Sequence, residues 1–334
     1  MKRYRVVQYG CGPIGCSVAR YAAERRDLEL VGAIDLDEKL VGKDLGEVAG
    51  LGRKIGVEIE GDADGTLART SPDVVFITTS SALKSVYAQI EKCTRAGANV
   101  VSSCEELSYP YWAAPELSDK IDRLARDGGV TVLATGVNPG FIMDTWPLVM
   151  SGVCQQIEHV KVVRRQDASS RRCPFQKKIG AGCTPEEFKE LAAAGTLRHV
   201  GLAESIAMIA AGLGWQLDSI TDILEPIVAG RTIETVCVKV EPGNIAGVRQ
   251  LGRGTFKGKE LIVLEFLASV GDPNSYDAVY IKGKPNLEVT ISGGAHGDIA
   301  TTSMMVNAAY RVFEAPSGLK TMADLPVVVG PGVQ

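Results

Sequence analysis

Near its start the chain reads RVVQYGCGPIG (residues 5–15), and this stretch limits the possible folds more than any other. A short apolar run ends at Tyr9, and glycines follow at Gly10, Gly12 and Gly15. SVARYAAERR then carries a helical pattern. LELVGAID reads as a second strand, closing on Asp35, twenty residues beyond Gly15. A glycine triplet alone is weak evidence, but strand, glycine turn, helix and acid-terminated strand in that order form a dinucleotide-binding unit. Gly10 permits the tight turn, Gly12 lets a pyrophosphate approach the backbone, and Gly15 lets helix and strand pack closely. Pro13 suits the first helical turn, where its missing N–H costs little, and Ile14 continues that turn. The helix N-terminus then attracts the phosphate charge. Asp35 accepts hydrogen bonds from ribose hydroxyls and repels a 2′-phosphate; no Arg follows it, although Lys39 is near. The expected cofactor is NAD rather than NADP.

Further continuous apolar runs lie at 73–81, 98–104 and 129–137, the pattern of parallel strands buried on both faces. Helical stretches SVYAQIEKCTRAG and YWAAPELSDKIDRLARDGG separate them, the second ending on glycines. The expected fold class is α/β, a doubly wound parallel sheet of Rossmann type. Ligands of such sheets bind beyond the carboxyl ends of the strands. That rule singles out Thr78, Thr79, Ser80, Cys104 and Gly140 for the cofactor, with Glu105 and Asn138 beside them.

At 334 residues the chain exceeds one ordinary core. The expected division is a dinucleotide-binding domain over 1–140, a substrate domain over 141–300, and a C-terminal helix and tail (301–334) returning to the first. Strand-like stretches at 158–166, 232–241, 259–269 and 286–293 include several that alternate, as in a sheet covered on one face. Thr184-Pro185-Glu186-Glu187 is a capping box, and 200–213 is apolar enough for a buried helix. The second domain is therefore expected to be an α+β open sheet, a surface suited to a homodimer.

Formal net charge is −4, with no basic cluster longer than Arg164-Arg165 or Arg171-Arg172, which argues against nucleic acid and anionic membrane as partners. No apolar run reaches ~18 residues, and the N-terminus reads as a strand rather than a signal peptide. Eight cysteines show no CxxC pair, and there are three histidines, so no metal site is expected. Scattered thiols without a disulfide framework suit a reducing cytoplasm.

The stretch SSCEELSYP places Glu105 and Glu106 side by side where a buried strand ends. Desolvation and a neighbouring like charge both raise a carboxylate's pKa, which suits a general base near neutrality. A carboxylate there favours a cationic substrate, an ammonium or an iminium, over a developing alkoxide. The residues thus lean toward C–N rather than C–O oxidation. His159 reads as structural. His199 is either a capping residue or a pocket donor, and His296, in SGGAHGDIATTS, reads as part of a binding loop. Arg164 and Arg165 should face opposite ways. One of them either holds a carboxylate or lies in solvent. Asn138, Gln166 and Thr302 are neutral donors.

GCGPIG, VGAIDLD with VGKDLGE, SSCEELSYP, TGVNPGFIMDTWPL, RRQDAS, HVGLAES and GGAHGDIATTSMMVNA occur in this order over nearly the whole chain. Together they resemble the 2,4-diaminopentanoate dehydrogenase and native amine dehydrogenase family, within the wider dihydrodipicolinate-reductase-like group. The resemblance implies NAD(P)-dependent oxidative deamination of 2,4-diaminopentanoate at C4 to 2-amino-4-oxopentanoate and ammonia, reversible as reductive amination of ketones. It places the catalytic glutamate on Glu105, with Glu106 the second choice, and the amino-acid end of the substrate on Asn138, Arg164, Gln166, His296 and Thr302. Some members of the family tolerate NADP as well as NAD. The alternative on the same scaffold is a reductase of a cyclic imine or semialdehyde.

Overall fold

The structure, a computed structural model, describes residues 3–332. Residues Ile142–Ala295 form one compact unit, and the chain before and after them forms the other.

In the first unit, β1 (Tyr4–Tyr9) leads through the glycine turn into α1 (Pro13–Glu24) and β2 (Leu28–Ile34). The short α2 (Leu45–Val48), β3 (Ile59–Glu60) and α3 (Ala63–Thr70) precede β4 (Val74–Ile77). Then come α4 (Leu83–Arg95), β5 (Asn99–Ser102), a 3₁₀ turn at Glu105–Leu107, α5 (Pro115–Asp127) and β6 (Thr131–Ala134). The central strands are short and buried on both faces, as the all-buried VVFI of β4 and TVLA of β6 illustrate.

Across the sheet β3, β2, β1, β4, β5 and β6 follow one another, all parallel, so the order reverses between β1 and β4. That reversal is the crevice in which a doubly wound sheet binds its ligand.

The second unit opens with α6 (Thr145–Ser151) and β7 (Gln156–Asp167), followed by α7 (Cys173–Lys178), α8 (Pro185–Ala193) and α9 (Leu202–Gly212). Strands β8 (Ser219–Val228), β9 (Ile233–Glu234), β10 (Lys239–Val240), β11 (Ile245–Phe256), β12 (Lys259–Ser269), β13 (Tyr276–Lys284) and β14 (Leu287–Ser292) complete it. Its main sheet runs β14-β13-β7-β12-β11-β8, antiparallel except where β12 meets β7. The chain then rejoins the first unit as α10 (Gly297–Val312) and β15 (Gly318–Lys320), which adds a seventh parallel strand beside β6.

Two expectations change here. The run 232–241 is not one strand. The Thr235 hydroxyl accepts the N–H groups of Cys237 and Val238, which closes a turn in mid-run and folds β9 against β10. Nor are all the thiols unpaired: Cys173 at the start of α7 is bridged to Cys237 in that turn. Their 64-residue separation hid the pair, because only the folded ribbon brings them together.

Strands β8, β11 and β13 were also invisible in the sequence. β8 is an exposed edge containing Pro226, and β11 is broken in pattern by Gly247, Gly252 and Gly254. Those last two glycines have a packing reason. A Cβ on Gly252 would lie 2.9 Å from Ile206, and one on Gly254 2.7 Å, so their absence lets α9 lie close on the sheet.

Candidate functional site

The glycine turn is built for an anion. Gly10 has φ +93°, which only glycine adopts cheaply, and a Cβ there would meet Thr79 at 2.8 Å. A Cβ on Gly15 would lie 1.9 Å from the Gly10 carbonyl, so α1 sits as close to β1 as backbone allows. Gly12 is different: a Cβ there would touch nothing within 4 Å, and the space in front of the helix N-terminus is open. Gly12 is the N-cap of α1, Pro13 occupies the first helical position, and no acid lies in the first turn to repel a phosphate. These features fit a dinucleotide pyrophosphate.

Neighbouring side chains hold the turn in shape. Gln8 Nε2 donates to the Gly10 carbonyl at 2.8 Å and to Thr78 Oγ1 at 2.9 Å, and the Thr78 hydroxyl donates to the same carbonyl at 2.8 Å. Asp35, just past β2, accepts the Cys11 N–H at 2.6 Å on one oxygen and the Asp37 N–H at 2.9 Å on the other. Each oxygen retains acceptor capacity for a further donor. Gln8 escaped the sequence reading, where it looked like an interruption of the apolar run.

The carboxyl ends of β4, β5 and β6 carry the remaining candidates of the first unit. After β4, Thr79 donates to Gln89 at 2.6 Å and Ser80 Oγ accepts the Ala82 N–H at 3.1 Å. After β5, Cys104 is buried, its thiol turned toward the Ser81 carbonyl and pushed up to about 12 by burial. The two glutamates separate at once. Glu106 Oε2 accepts the Leu83 N–H at 2.8 Å, at the start of α4. Glu105 is half-buried, and its carbonyl accepts both the N–H and the hydroxyl of Ser108.

Beyond β6, Asn138 is 7 % exposed, and its side-chain oxygen and nitrogen both lack a hydrogen-bond partner among the described residues. A buried amide without partners costs free energy unless something else satisfies it, which makes Asn138 a candidate ligand contact. Gly140 holds φ +120°, and a Cβ there would collide with Gly136 N at 2.4 Å. The start of α10 lies against this loop, the Thr301 hydroxyl accepting the Val137 N–H at 3.3 Å. Thr302 is buried and donates to the Asp298 carbonyl at 2.9 Å. His296 is the N-cap of α10, and its Nδ1 accepts the Ile299 N–H at 3.4 Å, which leaves the neutral ring's proton on Nε2.

The other three candidates lie in the second unit. Arg164 and Arg165 do point to opposite faces of β7. Arg165 pairs with Asp272 at 2.7 Å, while Arg164 is 1 % exposed. Arg164 Nη2 donates to the Ala295 carbonyl at 2.9 Å, and Nη1 lies 3.7 Å from the fully buried Asp277. Burial pushes the Arg164 guanidinium down to about 10 and the Asp277 carboxyl up. Asp277 accepts the Ala295 N–H at 2.7 Å, and Gln166 Nε2 donates to the Ala295 carbonyl at 3.2 Å.

The peptide groups of Ala295 are thus clasped from both sides, one residue before His296. Arg171 donates to Gln166 at 3.2 Å and stacks on Phe175. His199 is not a cap, since Gly201 takes that place in α9. Its ring packs on Phe266 with Nδ1 buried and without a hydrogen-bond partner among the described residues, and burial, with Lys178, Arg164 and Arg171 around it, pushes the imidazole down to about 3. Asp277 was missed because it does not stand out locally; its partner Arg164 comes from another strand.

Comparison with known proteins bears on this arrangement. Residues 141–330 match the model of the 2,4-diaminopentanoate dehydrogenase C-terminal domain, and residues 4–105 match that of the dihydrodipicolinate reductase N-terminus. The chain is 33% identical to a 2,4-diaminopentanoate dehydrogenase of Acetoanaerobium sticklandii, with 98% of this chain and 94% of that protein covered. The chain belongs to the 2,4-diaminopentanoate dehydrogenase family. Its class follows from that membership: an oxidoreductase acting on CH–NH2 groups.

An amine dehydrogenase of Streptomyces virginiae is 27% identical, with 96% of each chain covered. The solved amine dehydrogenase of Mycobacterium smegmatis superposes with a TM-score of 0.87 at 27% identity, covering 98% of this chain and 97% of that one. Among the described residues, no helix is long and apolar enough to cross a membrane.

Proposed function

We propose that the chain catalyses the NAD-dependent oxidative deamination of 2,4-diaminopentanoate at C4 to 2-amino-4-oxopentanoate and ammonia, and runs in reverse as reductive amination of ketones. One observation carries this reading: an acidic 3₁₀ turn ends β5, two strands from the glycine turn, in a chain 33% identical to a 2,4-diaminopentanoate dehydrogenase.

When bound, the dinucleotide accepts hydride from the substrate carbon; the chain manages protons and orientation. Glu105 takes a proton from the substrate ammonium, so that the nitrogen lone pair drives hydride departure, releases that proton to solvent, and as a carboxylate again takes one from the water that adds to the iminium. Asn138 satisfies its amide on the substrate's polar end, with His296 and Thr302 at the start of α10. Arg164 and Gln166 act one step back, by fixing the Ala295 peptide that leads into His296. His199, within the second unit, is held neutral by its burial.

Asp35, followed by Asp37 and Glu38, supports NAD over NADP, because three carboxylates repel a 2′-phosphate. The open sheet of the second unit supports a homodimer, and six unpaired thiols support a cytoplasmic site of action.

The test is a substrate panel: 2,4-diaminopentanoate with NAD and with NADP, then simple ketones with ammonia and NADH. Glu105→Gln should lower deamination by roughly 10³-fold, within the range removed with a general base, while NADH binding, read by fluorescence, stays within twofold. Unchanged turnover in this variant would sink the assignment. The first unit's match to the dihydrodipicolinate reductase N-terminus supports the alternative, a cyclic-imine or semialdehyde reductase. NADH consumption that needs no ammonia would favour it.

A further inference from the structure

The reaction needs one carboxylate on the turn after β5, yet the chain carries two. We propose that Glu106 is a positioning residue for Glu105, acting by capping a helix that starts 23 residues upstream. The inference rests on the reading of Glu105 as proton carrier.

Helix α4 has no cap of its own. Ala82 occupies the N-cap with no side-chain acceptor, and no acid stands in the first turn. The Leu83 N–H is one of the donors every helix leaves unsatisfied at its start. Glu106 Oε2 takes that N–H at 2.8 Å, and the Glu106 backbone N–H donates to the Ser81 carbonyl at 3.2 Å. One residue therefore ties the turn to the α4 entry twice, through side chain and through backbone. The Cys104 thiol adds a third tie to Ser81, and Leu107 anchors the far side in the apolar core.

The 3₁₀ geometry turns these ties into orientation. Successive residues of such a turn project ~120° apart, so locking residue 106 on α4 sets the direction in which residue 105 leaves the backbone. The anchoring loop, Ser80–Leu83, follows closely on Thr78, whose side chain holds the glycine turn. Proton carrier and cofactor loop thus share one fastening. A Ser or Asp at position 82 would cap α4 equally well but would leave the turn without its side-chain tie to α4.

The variants follow from that distinction. Glu106→Ala should lower kcat for deamination at least tenfold, with KM for the amine and Kd for NADH within about twofold, and should also lower Tm. Glu106→Gln keeps an oxygen for the Leu83 N–H and should hold kcat within about threefold of the parent. Ala82→Asp added to Glu106→Ala restores a local cap. Recovery of Tm with kcat still low supports positioning, whereas recovery of both shows that Glu106 merely stabilises α4 and overturns the proposal. A Glu106→Ala enzyme with kcat within twofold of the parent overturns it as well. Glu105→Gln separates the two ideas: if it retains turnover, the proton-carrier reading fails, whatever Glu106 does.

Discussion

The two sheets treat charge in opposite ways. The parallel sheet of the first unit buries strands that are almost wholly apolar and confines its polar chemistry to their carboxyl ends, at Thr78, Glu105 and Asn138. The mixed sheet of the second unit carries charge along its strands. Inside, Arg164 faces Asp277; on the opposite face Arg249 bridges Glu225 and Glu265, and Lys161 reaches Glu265 from the next strand. A parallel sheet covered on both faces has nowhere to put a charge except its ends. A sheet with one face open can wear a ladder of ion pairs across it, each worth little in water. The first unit is therefore readable by motif, and the second only by partner.

The largest effect that tests this contrast lies inside the second sheet. Arg164→Met leaves the Asp277 carboxyl buried without its cation, and should cost on the order of 3 kcal/mol in urea unfolding. Arg164→Met with Asp277→Asn should cost clearly less than the sum of the two single changes. Strict additivity would mean that the pair is not coupled and that the second sheet holds its buried charges independently.

Next in size is a comparison within the glycine turn. Gly15→Ala must push a methyl into the Gly10 carbonyl, so it should lower both Tm and NADH affinity. Gly12→Ala meets no protein atom, so Tm should stay within about 1 °C while NADH affinity falls roughly tenfold, ~1.4 kcal/mol. Equal losses of stability in both variants would remove the distinction between a packing glycine and a ligand-facing one.

The last effect is spread over a pH range rather than set by one substitution. The His199 imidazole titrates near 3 in the folded chain against about 6.5 when unfolded. Above about pH 6.5 the ring is neutral in both states and its contribution is full. Between about 6.5 and 3 the unfolded chain binds a proton that the folded one refuses, so stability falls as pH falls, by at most ~1.4 kcal/mol per unit. His199→Gln should flatten the urea midpoint between pH 7 and 5, and an unchanged slope would place the acid sensitivity elsewhere.

Local order was legible wherever one short stretch contained its own reason. The strand–glycine–helix–Asp35 unit needs only a backbone that can turn and a helix end that attracts anions, and both are written within thirty residues. The capping box at Thr184 is equally local, and the structure forms it. Arg164 shows the limit. Alternation along β7 could say that it and Arg165 part company, but not which of them turns inward, because that depends on Asp277 arriving from β13 and Ala295 from the strand end beyond. The run 232–241 failed for the same reason in reverse: its apolar alternation promised a strand, and a single threonine hydroxyl folded it back on itself.

By itself the sequence determined the parallel sheet, the turn that admits a dinucleotide, and the presence of adjoining carboxylates at the end of β5. Those features follow from backbone stereochemistry and from burial on both faces, which leave local signatures. Only the tertiary structure decided which of the glutamates fastens the start of α4. Leu83 offers an unsatisfied N–H, and the fold brings it to Glu106 and not to Glu105; no spacing along the chain records that distance.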